Sequence, residues 1–212
     1  MTPPEFDGAF RERLLELFRW RRDVRRFRTD PLAPGLLDRL LDAACLAPSV
    51  GFSQPWRFVL VDEPERRAAV RQSFATCNQA ALAGYDGERA ALYTRLKLEG
   101  LTDAPVQLAV FCDEATAAGH GLGSRTMPEA LRYSVVAAVQ TLWLTARAHG
   151  VGVGWVSILD PQAVTQTLDI PEGWKLVAYL CVGYPVEAQP EPELLRLGWQ
   201  APDPAGRKVL RR

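Results

Sequence analysis

The 212-residue chain is poor in the residues that most often bind metals or form disulfides. It contains two histidines and four cysteines, Cys45, Cys77, Cys112 and Cys181, and no two of the cysteines are closely spaced. Zinc knuckles and thioredoxin-type sites use closely spaced cysteines, so the sequence supports neither. We therefore predict four buried thiols and no metal site.

An excess of charge of one sign is also absent, because 25 basic residues balance 25 acidic residues. Nucleic-acid-binding proteins usually carry a basic excess, so a site for a small anion is favoured over a nucleic-acid surface. The longest uncharged stretches, residues 43–56 and 133–146, are shorter than the roughly 20 residues that span a bilayer. The first residues lack the apolar segment of a signal peptide. We expect a cytoplasmic protein with no membrane span.

Hydrophobic periodicity alternates between helix and strand along the chain. The strongest pattern predicts a helix over residues 128–149, which Gly150 ends. Its buried face is expected to comprise Leu131, Val135, Val139, Leu142, Trp143 and Ala146. Further helices are predicted at 5–20, 35–47, 63–83 and 88–98, and strands at 57–62, 106–112, 153–159 and 176–182. The pattern predicts one α+β domain, residues 1–212, with a central sheet and an extended proline-rich arm at 187–212. The order of the strands in the sheet does not follow from the sequence.

One segment is unusually rich in arginine. Residues 21–28, RRDVRRFR, hold five arginines in eight positions around Asp23. One guanidinium group can donate two parallel hydrogen bonds to a phosphate, and it remains charged at any working pH. The positive charge of the arginines also favours the ionised form of Asp23. The segment is therefore a candidate anion site, and the alternative is a solvated helix end held by salt bridges.

Two further segments combine glycine with polar side chains. In residues 47–56, APSVGFSQPW, Gly51 permits close backbone approach and three side chains offer donors and acceptors. Residues 150–159, GVGVGWVSIL, follow a helix and precede a strand. That order is the reverse of the dinucleotide fingerprint, so a Rossmann site is excluded. Either segment could instead be an ordinary connection between a helix and a strand.

Taken in order, these three segments resemble the motifs of the FMN-dependent nitroreductase superfamily: an arginine-rich turn, a PS-x-x-x-QPW loop, and a long helix ending in a glycine-rich turn. The resemblance covers roughly residues 20–184. It implies an α-β-α sandwich with a central mixed sheet. It also implies that FMN is bound by Arg21, Arg22, Asp23, Val24, Arg25, Ser49, Ser53, Gln54, Trp56 and Ser157.

A finer resemblance is to one branch, the 5,6-dimethylbenzimidazole synthases, and it lies in Asp23 and residues 84–101, 123–129 and 154–159. It implies O₂-dependent fragmentation of reduced FMN to 5,6-dimethylbenzimidazole, the lower ligand of cobalamin, and erythrose 4-phosphate. Asp23 and Ser157 would be the catalytic pair. Electrons would come from NAD(P)H through a separate flavin reductase.

The resemblance also implies a lid over the flavin at residues 84–101, with Tyr85, Tyr93 and Leu96, and a homodimer with helix 128–149 in its interface. Family members place a basic residue near the C-terminus on the FMN phosphate, and Arg207 and Lys208 are candidates. Two alternatives stay open. A conventional NAD(P)H-dependent nitroreductase or flavin reductase needs an open flavin face, whereas a non-catalytic FMN-binding protein needs only the binding contacts.

Overall fold

The computed structural model describes residues 3–96 and 100–212, which form one sheet with helices on both faces. The helices are α1 (Gly8–Trp20), α2 (Leu36–Ala44), α3 (Pro64–Leu82), α4 (Gly87–Arg95), α5 (Gly100–Asp103), α6 (Ala130–Ala148), α7 (Pro161–Thr167) and α8 (Glu193–Arg196). The strands are β1 (Trp56–Leu60), β2 (Val106–Asp113), β3 (Gly152–Val156) and β4 (Trp174–Gly183). Two 3₁₀ turns lie at Val50–Phe52 and Ala118–Gly121.

The four strands are ordered β1-β2-β4-β3, and each neighbouring pair is antiparallel. The expectation of a mixed sheet is therefore wrong for these strands. Within the described residues, parallel pairing is limited to an isolated bridge between Asp23 and Val153 at the free edge of β3. The apolar run Leu108–Cys112 of β2 reflects burial on both faces of the sheet and not parallel pairing.

Two hydrophobic clusters, one on each side of the sheet, confirm the α-β-α sandwich. Helices α2 and α6 contribute to the first cluster, where Leu40 and Leu142 pack with Leu108 of β2. Helices α3 and α7 contribute to the second, which includes Phe111 and Tyr179. All six residues predicted for the inner face of α6 are buried.

Several elements depart from their predicted bounds. Helix α1 begins at Gly8 because the Asp7 side chain accepts a hydrogen bond from the Phe10 amide at 2.7 Å. Strand β3 ends at Val156, and Asp160 then caps α7, a helix that the sequence reading missed. Helix α8 lies inside the arm that was expected to be extended. Residues 97–98 of the predicted helix 88–98 lie outside the described residues.

The cysteines only partly match their predicted burial. Cys112 and Cys181 are buried and Cys77 is half-buried, but Cys45 is exposed because it follows α2 where the chain turns outward. Across residues 3–96 and 100–212, no cluster of histidine, cysteine, aspartate and glutamate has an arrangement that could hold a metal ion. In the same part of the chain, no helix has the length and apolar character needed to cross a bilayer.

Candidate functional site

The arginine-rich segment packs directly on β3. The Val24 amide donates a hydrogen bond to the Val153 carbonyl at 3.0 Å. A Cβ atom on Gly154 would lie 2.1 Å from the Val24 carbonyl oxygen, and one on Gly152 would lie 2.8 Å from a Val24 methyl group. The glycines of GVGVG therefore let the arginine-rich segment approach the strand, which accounts for that motif without a dinucleotide.

Asp23 is held by the same strand. Its Oδ1 atom accepts a hydrogen bond from the Trp155 amide at 2.9 Å, and its Oδ2 atom lies 3.6 Å from Arg25 Nε. Burial raises the pKa of Asp23 and outweighs the Trp155 amide and Arg25, which act to lower it. We expected the arginines to dominate, but desolvation does. A carboxyl group with a raised pKa is better matched to proton exchange near neutral pH.

Ser157 is the first residue after β3 and is exposed. It lies two residues beyond Trp155, which in extended chain is roughly 7 Å along the strand. It was expected on the strand itself, and the structure places it just past the strand's end. Asp23 and Ser157 are thus brought to the same end of β3.

Most of the arginines already have partners. Arg22 donates from Nε and Nη2 to the Pro190 carbonyl at 2.8 and 2.5 Å. The Arg21 guanidinium lies over the Trp143 ring, 5.0 Å from its centroid, and Arg26 forms a 2.5 Å ion pair with Glu187.

Arg25 differs from these arginines. Its side chain is only 12% exposed, and its Nε and Nη1 atoms are buried without a hydrogen-bond partner among the described residues. Buried donors without partners are costly, so Arg25 fits a site that receives an anionic group such as the FMN phosphate.

The C-terminal arm encloses the arginine-rich segment. Two cavities, of about 50 and 180 Å³, have Arg22, Asp23, Arg25 and Glu193 in common among their lining residues. Arg196 of α8 also lines the smaller cavity, whereas Arg207 and Lys208 lie in an exposed tail. The sequence reading missed Arg196 because prolines on both sides predicted an extended arm. The helix-compatible run Glu193–Arg196 directly after Pro192 was the signal that could have found it.

The loop at residues 49–56 has its own internal contacts. Ser49 Oγ accepts a hydrogen bond from the Gln54 amide at 3.1 Å, and Gln54 is exposed with a positive φ of 45°. Ser53 is 4% exposed, and its hydroxyl lacks a hydrogen-bond partner within the described residues. Trp56 is buried in the core cluster between α6 and the sheet. Ser53 and Gln54 thus offer free polar groups, while Trp56 anchors the loop.

One chain does not bring this loop to the arginine-rich segment. Ser134 on α6 accepts a hydrogen bond from the Val50 amide at 3.0 Å. Trp143, roughly 13 Å further along the same helix, donates from Nε1 to the Arg22 carbonyl at 3.2 Å. The first and third segments therefore form one site, and the second lies towards the other end of α6.

The expected lid packs against the arm. Tyr93 is buried, and its hydroxyl donates to Asn78 Oδ1 on α3 at 2.8 Å. Tyr85 stacks on Tyr93 with ring centroids 5.1 Å apart and meets the edge of Trp199 at 5.4 Å. Arg89 donates to the Trp199 carbonyl at 2.6 Å. Leu96 is half-buried, and residues 97–99 of the expected lid lie outside the described residues.

Comparisons with known proteins identify the family and the fold. A protein of Rhodospirillum rubrum is 62% identical over 203 residues, 96% of each chain, and one of Rhodobacter capsulatus is 48% identical over 195 residues, 92% of this chain and 94% of that one. Both are named 5,6-dimethylbenzimidazole synthase. Iodotyrosine deiodinase, crystallised with FMN and 3-iodo-L-tyrosine, has a similar structure, with a TM-score of 0.72 and 25% identity over 94% of this chain and 97% of that one. The model of the Nitroreductase family matches residues 18–184, and the chain therefore belongs to that family.

Proposed function

We propose that this protein is a 5,6-dimethylbenzimidazole synthase, which fragments reduced FMN in the presence of O₂ and also forms erythrose 4-phosphate. The identity of 62% over 96% of the chain to a relative of that name supports the proposal. The structural observation that carries it is Asp23, a carboxyl group fixed at β3 beside Arg25, whose buried Nε and Nη1 atoms have no hydrogen-bond partner in the part of the chain that the structure describes. A carboxylate there opposes anion binding, so its presence indicates a task other than affinity.

The arginine-rich segment would hold the phosphate of FMN. Arg25 offers its free Nε and Nη1 donors, Arg21 and Arg22 add positive charge, and Arg196 faces the same cavity from the arm. Charge-assisted hydrogen bonds of this kind are the strong ones in proteins. Val24 fixes the backbone beside the ligand. Bound reduced FMN supplies both the ring that is fragmented and the electrons that reduce O₂.

Asp23 and Ser157 would act on the flavin itself. Oδ1 of Asp23 is committed to the Trp155 amide, so Oδ2 is the atom that takes a proton. Ser157 is exposed at the end of β3, and its hydroxyl would donate a hydrogen bond to the ring edge. Asp23 would thus transfer the proton, and Ser157 would position the ring.

A second copy of the chain would complete the site. Ser49, Ser53 and Gln54 are suited to the polar edge of the flavin, and in one chain they lie towards the other end of α6 from Arg25. Helix α1 has no buried residue, and large apolar side chains on it and just before it are exposed, namely Phe10, Leu14, Leu15 and Phe18 on the helix and Phe6 before it. Exposed apolar surface of this kind marks an interface. We therefore infer a homodimer in which each loop meets the partner's arginine-rich segment.

Segment 84–96 would cover the flavin and exclude water from the reaction. Its packing on Asn78 and Trp199 gives it a defined resting position. Covering the ring also removes the open face that a conventional nitroreductase needs for a second substrate. The cytoplasmic location, the NAD(P)H source and the separate flavin reductase stay predictions.

The deciding experiment mixes the protein with chemically reduced FMN in air and separates the products by chromatography. Formation of 5,6-dimethylbenzimidazole above a protein-free control is expected. Steady NADH oxidation with a nitroaromatic at constant FMN would instead identify a conventional nitroreductase. Recovery of all FMN unchanged would identify a binding protein.

A further inference from the structure

The C-terminal arm places acidic side chains beside the arginine-rich segment. Glu187, Glu191 and Glu193 all line the smaller cavity there. Glu187 forms ion pairs with Arg26 and Arg196. Glu193 Oε2 lies 3.5 Å from Arg25 Nε. The site proposed for a phosphate is therefore occupied in part by carboxylates of the same chain.

Glu193 lies close to Arg25 but does not form a hydrogen bond with it. Asp23 and Glu193 approach the same nitrogen at 3.6 and 3.5 Å. Both distances exceed the roughly 2.7–2.9 Å of a charge-assisted hydrogen bond. The guanidinium thus sits between two carboxylates and is hydrogen-bonded by neither, so its buried donors stay available.

We propose that Glu193 competes with phosphate for the Arg25 guanidinium and thereby sets the affinity of the site for phosphate groups. The proposal rests on the proposed binding of FMN. In the free protein, Glu193 partly neutralises Arg25, so a small anion gains little by binding there. A phosphate dianion carried by FMN gains further contacts through the ring and displaces Glu193. The residue therefore lowers the affinity of the site for any phosphate group, and a ligand that is also held elsewhere still binds.

The position of Glu193 suits this exchange. It is the first residue of α8, a helix of four residues that follows Pro192, and its side chain is 25% exposed. A short helix at the surface can shift without disturbing the core clusters, to which α8 contributes no buried residue. Displacement of Glu193 therefore requires movement of the arm alone.

The test compares Glu193→Gln with Glu191→Gln, which removes the same charge from the same cavity at a residue not paired with Arg25 within the described residues. Affinities for FMN, riboflavin and inorganic phosphate are measured by flavin fluorescence and thermal shift. For Glu193→Gln we expect FMN and inorganic phosphate to bind about fivefold more tightly, as removal of one charge at about 4 Å in water predicts. Riboflavin, which lacks the phosphate, should bind as it does to the wild type.

Weaker FMN binding by Glu193→Gln, or an equal gain in Glu191→Gln, would overturn the proposal. An equal gain for riboflavin would overturn it too, because the effect would not depend on phosphate. Glu193→Asp, which keeps the charge on a shorter side chain, should fall between wild type and Glu193→Gln and serves if the latter does not fold. A wild type that binds inorganic phosphate but not FMN would contradict the proposed function, and the phosphate measurements would still decide the role of Glu193.

Discussion

Asp23 experiences two opposing influences, since its surroundings supply positive charge while burial disfavours its ionised form. Desolvation raises its pKa, the Trp155 amide and Arg25 lower it, and the Glu193 charge raises it further. A residue placed only to strengthen phosphate binding would not be acidic. The balance of these influences is what a proton-transferring group requires.

The first prediction concerns the proposed catalytic pair. Asp23→Asn keeps the shape of the side chain but cannot accept a proton as a base, and Ser157→Gly removes the hydroxyl together with its Cβ carbon. Both variants should bind reduced FMN but form product more slowly, Asp23→Asn by at least about 100-fold, the usual contribution of a general base. Single-turnover reactions with O₂, beside measured FMN affinities, check this. Wild-type rates in both variants would reject the catalytic roles, and losses that merely follow binding would leave positioning roles.

A pH dependence follows from the raised pKa of Asp23. The residue must be ionised to take a proton, so product formation should rise with pH through the Asp23 pKa, which lies above that of an ordinary aspartate. The groups facing it are Arg25, Glu193 and Cys181, and burial raises the pKa of the Cys181 thiol to about 12, so the thiol stays neutral. Glu193→Gln removes a negative charge and should move the acidic limb of the pH–rate profile to lower pH. An unmoved limb would show that Asp23 is not the titrating group.

Replacement of Arg25 should weaken the binding of FMN but not that of riboflavin. Arg25→Gln removes a charge-assisted contact of about 1.5–3 kcal/mol, which corresponds to a ten- to hundredfold loss of FMN affinity. Riboflavin titrations provide the control, since riboflavin carries no phosphate. Equal losses for both flavins would contradict phosphate binding by Arg25.

At the level of elements, the arginine-rich segment is positioned by its close contact with β3. A Gly154→Ala substitution would force the new methyl group against the Val24 carbonyl, a backbone atom that cannot rotate away. Overpacking of this kind costs about 1–3 kcal/mol, so the variant should melt at lower temperature and bind FMN more weakly. Gly8→Ala is the matched control because nothing lies within 4 Å of its added Cβ atom. If Gly154→Ala behaves like Gly8→Ala, the close approach does not matter.

At the level of the whole molecule, the proposed dimer accounts for apolar surface that one chain leaves uncovered. Val136 of α6 is 41% exposed on the face opposite the core. Val136→Asp should dissociate the dimer in sedimentation experiments at micromolar concentration and reduce FMN binding. Leu210→Asp, at an exposed apolar position of the C-terminal tail, should have no effect on either. A stable wild-type monomer at this concentration would contradict the dimer.

The sequence predicted most of what depends on local periodicity. The inner face of α6 follows from its 3.6-residue repeat, and the arginine-rich segment from composition alone. Contacts between distant parts of the chain could not be read in this way. The bond from Trp155 to Asp23, the approach of Glu193 to Arg25 and the cavity position of Arg196 each depend on how remote segments fold together. Helix α8 was missed because local proline content favoured an extended chain.

The anchoring of the arginine-rich segment has a consequence for how the family can diversify. Val24 holds the backbone through its amide and through the space left by Gly152 and Gly154. The side chains at positions 21 and 25 therefore contribute charge without setting the shape of the backbone. Variation at these two positions can alter the anion that is recognised while the scaffold stays in place, which makes this short stretch an evolvable part of the protein.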